Sequence, residues 1–149
     1  MPNSFSTTKS DPNGDLYRQA ERLGHRVVWY RFRNAPCLTI EDGDGGFAIG
    51  IDPAQLRSRA DERVKLAHEL GHCETGTLYP IDVTPSARRR REERADRWAI
   101  RRLMPFSEVI SALEGGLETA EALAEQFGVT EDFARQALSY YRDVKGRLR

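Results

Sequence analysis

In the stretch HELGH, His68 and His72 stand four residues apart. One turn of α-helix brings both imidazoles out on the same face, so two nitrogen ligands aim at one point. Glu69 is rotated about 100° from His68 at ~3.6 residues per turn, where its carboxylate flanks that point without being forced into it. This is the placing of a base beside a metal-bound water. The pattern HExxH arises by chance in roughly one chain of this length in a few hundred, so a plain amphipathic helix is the competing reading. Against it, two of the chain's only three histidines are spent on the motif.

A hydrolytic zinc site takes three protein ligands and leaves a fourth position for water. His25 is the remaining histidine, and its place after a helix end reads more simply as a surface residue near the helix dipole. A carboxylate is the better candidate. In RRRREERADRWAIRRLMP, a helix ended by Pro105 would align Glu92, Ala95, Asp96, Ala99 and Leu103 on one small, apolar, partly acidic face. Glu93 shares its row with Arg89, Arg90, Arg97 and Arg101, a solvated face with an i,i+4 pair to Arg97. Glu92 is therefore the third ligand expected, and Asp96, one turn on, can accept a hydrogen bond from the outer ring nitrogen of a ligating histidine. Tyr79, in the connection after the motif helix, is the one phenol placed to serve as an oxyanion donor, with simple packing as its commoner use. Two histidines and one glutamate serve Zn²⁺, with Mn²⁺ as the other candidate.

These residues need elements to hold them. The chain of 149 residues, 39% hydrophobic, suits one ordinary folded domain. Residues 1–13 read as a flexible tail, residues 14–105 as the core and residues 106–149 as a helical region packed on it. Leu16, Ala20 and Leu23 recur at helical spacing up to Gly24. RVVWYRF, CLTIE and FAIGI read as three short strands with DGDGG as turn chemistry. SRADERVKLAHELGH carries Val64, Ala67, Leu70 and Gly71 along one stripe, with Ser58 and Asp61 as an imperfect capping box at its start. FAIGI is the strand expected at the sheet edge, where an extended substrate would pair. The fold class is α+β: a small sheet packed on the motif helix and a second ligand-bearing helix, followed by a helical region.

With HELGH followed some twenty residues later by EERADRWAIRRLMP, and with IGIDP and ALAEQFGVTEDFARQAL flanking them, the chain resembles the ImmA/IrrE family of metallopeptidases. The resemblance implies a zincin-like core with a gluzincin-like second motif, His68, His72 and Glu92 as metal ligands, and Glu69 as catalytic base. It also implies a substrate: a helix-turn-helix transcriptional repressor, of a mobile element or a stress regulon, cut to relieve repression.

Other features weigh against rival functions. Lysine plus arginine equal aspartate plus glutamate at 23 each, so no bulk charge draws the molecule to nucleic acid or to a membrane. A polar amino terminus and the lack of any apolar run of roughly 20 residues point to a cytoplasmic protein with no membrane association. Cys37 and Cys73 are too few for a disulfide framework; Cys73 reads as a buried bystander, and Cys37 carries no motif. The run Arg88 to Arg91, interrupted downstream by Glu92, Glu93 and Asp96, reads as an exposed helix face. LAEQFGVTEDFARQALSYY has the helix, glycine turn and helix of a DNA-binding motif, yet its second helix opens with Glu131 and Asp132, and eight acids face five bases from Phe106 onward. Direct nucleic-acid binding is not expected; the segment is structural or docks substrate, packed through Leu123, Phe127, Val129, Phe133 and Leu138. Two alternatives stay open: a metal-binding anti-repressor or adaptor that acts without cleavage, and a DNA-binding regulator working through the terminal helices.

Overall fold

The computed structural model describes residues 13–41, 46–77 and 84–145. A first helix, α1 (Gly14–Arg22), leads into three strands, β1 (Arg26–Trp29), β2 (Cys37–Glu41) and β3 (Phe47–Ile51). Five helices follow: α2 (Arg59–Thr75), α3 (Pro85–Leu103), α4 (Phe106–Glu114), α5 (Ala120–Phe127) and α6 (Glu131–Tyr140). The class is α+β. Among the described residues no helix is long and apolar enough to cross a membrane.

The sheet order is β1-β3-β2. β3 is central, parallel to β1 and antiparallel to β2, with Thr39 opposite Ile49 and Leu38 opposite Gly50. The expectation that FAIGI forms the edge is therefore wrong; among the described residues the edge strands are RVVW and CLTIE. The reason is burial. Four of the five residues of β3 are buried, as a strand paired on both sides requires, whereas β2 alternates: Thr39 is 8% exposed, Leu38 and Ile40 are 50% and 55% exposed.

α2 starts as its residues dictate, with a variation. Ser58 Oγ accepts from the Asp61 N–H at 3.0 Å, but the Asp61 carboxylate accepts from Arg57 N–H at 3.0 Å rather than closing a box on Ser58. The helix ends at Gly76, φ 65°, the left-handed cap that a glycine takes without penalty. α3 begins earlier than its arginine run, because Thr84 caps it through Ala87 N–H and Pro85 supplies a first turn.

α2 and α3 make the most extensive helix contact, and glycine is what lets them close. A Cβ on Gly71 would fall 2.6 Å from the Ala95 carbonyl oxygen. Leu66, Ala67 and Leu70 on α2 are fully buried, in one apolar cluster with Ile49, Ile51, Ala99 and Ile100. At about 1.5–3 kcal/mol for each large side chain buried, this cluster is what fixes the motif helix in place. Leu123, Val129, Phe133 and Tyr141 of the C-terminal region join the same cluster, with Phe127 and Leu138 packed on its margin. Tyr141 is fully buried and donates its hydroxyl to the Met104 carbonyl at 2.6 Å.

Two residues near α1 depart from expectation. Leu23 is 40% exposed, since α1 stops one residue before it and Gly24 turns the chain at φ 86°. His25 is buried rather than superficial: its ring lies 5.3 Å from Phe47 and its Nε2 meets Glu74 at 3.0 Å.

Candidate metal centre

One turn apart on α2, His68 and His72 do leave the same face, their ring centroids 4.7 Å apart and edge to face. α3, held close by the Gly71–Ala95 contact, delivers Glu92 across from them. Glu92 Oε1 lies 2.9 Å from His68 Nε2, and Oε2 lies 3.0 Å from His72 Nε2. The three candidate donor atoms fall within 4.8 Å of one another. Two imidazole nitrogens and a carboxylate converging in this way are the donor set of a hydrolytic divalent-cation site, so the residues fit the ion that the sequence implies. Glu93 is exposed, as its row of arginines predicts, and Arg88, Arg89 and Arg90 are exposed with it. Three of the four arginines of the run are thus solvated, and Arg91 is half-buried.

The surroundings orient each group. Asp96 Oδ1 sits 2.7 Å from His68 Nδ1, the partner read from the helix face. Burial of the His68 ring lowers its pKa, but hydrogen bonds to Asp96 and then Glu92 outweigh it and raise the pKa to about 10. Nδ1–H therefore stays on the Asp96 side, and a cation binding at Nε2 must displace a proton there. His72 Nδ1 is 3.0 Å from Thr77 Oγ1; Thr77 in turn lies 2.7 Å from Thr75 Oγ1, which donates to the Gly71 carbonyl at 2.7 Å.

Glu69 turns towards the sheet, where Thr39 on β2 donates a hydrogen bond to its Oε1. A cleft of about 290 Å³ is lined by Cys37, Leu38, Thr39, His68, Glu69, His72 and Glu92. The edge strand thus forms one wall of the cleft and the metal-ligand candidates the other. Cys37 belongs to that wall although no motif marks it. Burial, and then the Glu69 charge, push its thiol up to about 12, so it is a neutral lining group. Cys73 is buried in the apolar cluster, its thiol also pushed up to about 12 by burial and then by Glu69. His25 pairs with Glu74 and stands outside the donor cluster. Tyr79 lies outside the described residues.

Three threonines at the site escaped the sequence reading. Thr39 and Thr75 had no signal, because a lone threonine in a strand or at a helix end is ordinary. Thr77 had a faint one: Gly76 just past the helix end, in HCETGT, turns the chain back towards the last helical turn.

Residues 49–139 match the family model described as the IrrE N-terminal-like domain, peptidase M78. No curated protein and no solved structure matches the chain.

Proposed function

Since the chain belongs to the IrrE N-terminal-like family of metallopeptidases, we propose that it is a metal-dependent endopeptidase with its cation among His68, His72 and Glu92 and with Glu69 as general base. The observation that carries this reading is the convergence of three donor atoms within 4.8 Å, lining the same cleft as Glu69. When bound, a zinc ion polarises the scissile carbonyl and lowers the pKa of water towards ~7; manganese is the other ion this donor set suits.

The remaining work falls to the chain itself. Glu69, steadied by Thr39, takes the proton of the attacking water and returns it to the leaving amine nitrogen. Asp96 keeps the His68 ring turned with Nε2 towards Glu92. The edge of β2, without a strand partner among the described residues, borders the cleft, and an extended peptide added there would be held by backbone hydrogen bonds with its scissile bond beside Glu69. A sheet edge running along the motif helix is also what supports a zincin-like arrangement of the core.

The substrate we propose is a helix-turn-helix transcriptional repressor, cut in the cytoplasm to relieve repression, on the strength of the sequence likeness to ImmA/IrrE peptidases. α6 opens with Glu131 and Asp132, and Arg135 pairs with both. That supports contact with protein rather than nucleic acid.

Elemental analysis of the purified protein tests the site. Near one equivalent of metal is expected in the wild type and in Glu93→Ala, and little in His68→Ala or Glu92→Ala. Glu69→Gln should keep the metal yet lose cleavage of a helix-turn-helix repressor, by about 10²–10⁴-fold. Relief of repression in cells by Glu69→Gln as complete as by the wild type would overturn the peptidase reading.

A further inference from the structure

The bonds behind His72 have a direction. Thr75 Oγ1 meets the Gly71 carbonyl at 2.7 Å, and a carbonyl only accepts, so the single hydroxyl proton of Thr75 is committed there. The 2.7 Å contact between Thr75 and Thr77 must then be donated by Thr77. With its one proton given to Thr75, Thr77 can only accept across the 3.0 Å contact with His72 Nδ1. His72 is the donor at Nδ1, and the Nε2 proton that faces the Glu92 carboxylate, 3.0 Å away, is the one a cation displaces.

We propose that Thr77 and Thr75 are positioning residues: a one-way relay that holds the Nδ1 proton of His72, leaves Nε2 as the nitrogen that yields its proton to a cation, and so sets the affinity of the site. The inference rests on the metal reading above. The geometry is built for the purpose. Gly76 in its left-handed conformation turns the chain back, so that Thr77 N–H also reaches the His72 carbonyl at 3.1 Å. Thr77 is 2% exposed and His72 5% exposed, so water does not compete for the bond. The two histidines are thereby supported by different chemistries. His68 leans on the carboxylate of Asp96, His72 on a neutral chain of hydroxyls ending at a backbone carbonyl.

The test uses the full chain with two readouts: zinc affinity by competition with a chromophoric chelator, and the tautomer of neutral His72 from its ¹⁵N ring shifts in metal-free Glu92→Ala, where no carboxylate accepts from Nε2. Thr77→Val should weaken zinc by about 10–100-fold, the usual cost of losing a histidine's outer partner, and Thr77→Ser should restore it. Thr75→Val carries the sharper expectation. It frees the Thr77 proton to be donated back to Nδ1, so in the Glu92→Ala background the tautomer should shift towards Nε2–H, a change that a merely space-filling threonine would not cause. Should Thr77→Val fail to fold, Thr77→Ser and Thr75→Val decide the matter. Wild-type tautomer and affinity in Thr75→Val and Thr77→Val would overturn the relay while leaving the metal site standing. A wild type that binds no zinc would overturn the metal reading, and with it the assignment of the relay to cation affinity.

Discussion

At the scale of single residues, the site divides into groups whose spacing announces them and groups that only contact reveals. His68, Glu69 and His72 are legible from a four-residue interval. Glu92 is separated from Glu93, its neighbour, by asking which helix face is apolar, and Asp96 follows one turn on. Thr39 could not be found this way, because its role depends on a strand thirty residues upstream lying against the motif helix. That role makes a prediction. Thr39→Val removes a donor to the Glu69 carboxylate, a kind of bond worth about 1.5–3 kcal/mol when one partner is charged. Turnover should fall about tenfold or more, with metal content and folding unchanged. Paired measurements of bound metal and of kcat check it, and loss of metal in this variant would show that Thr39 holds the ligands rather than the base.

Elements were read more fully than their arrangement. All three strands and the two ligand-bearing helices are present in the pattern of apolar and turn residues, but which strand lies at the edge is not. FAIGI and CLTIE look alike locally; pairing on both sides made one of them central, and that is a long-range fact. The close approach of α2 and α3 is likewise hidden in a glycine that on sequence grounds merely continues an apolar stripe. Gly71→Ala places a methyl 2.6 Å from the Ala95 carbonyl oxygen, and backbone cannot yield as a side-chain tip can. Overpacking of this kind costs about 1–3 kcal/mol, measurable by urea denaturation. Because the same contact sets how near Glu92 comes to the histidines, zinc affinity should fall together with stability. Full affinity in a destabilised Gly71→Ala would separate helix spacing from ligand geometry.

Across the whole molecule, Asp15 on α1 ties three helices together. Its carboxylate accepts from Arg63 at 2.9 and 3.1 Å and from Arg102 at 3.1 Å. Partial burial raises its pKa, but the hydrogen bonds and charges of Arg63 and then Arg102 outweigh that and bring it down to about 2. A folded-state pKa below the unfolded value of about 3.9 means a contribution present at neutral pH and lost as pH falls from about 4 through about 2. With the Asp15 side chain 40% exposed, solvent screening limits that contribution to about 1 kcal/mol. Asp15→Asn should therefore be less stable than the wild type at pH 7 by roughly that amount, with the gap closing as the pH is lowered towards 2. A gap that does not narrow would assign the loss to packing.

The alternation along β2, with Thr39 turned inward to Glu69 and with Leu38 and Ile40 half exposed on the other face, makes the strand a ruler. A guest peptide paired to its edge advances about 3.3 Å per residue, and a slip of one residue turns every side chain over. Frames that keep apolar side chains beside Leu38 and Ile40 recur only at every second residue. Mass spectrometry of a cut substrate should then show one scissile bond, or secondary bonds displaced by two residues, in preference to a ragged series displaced by one.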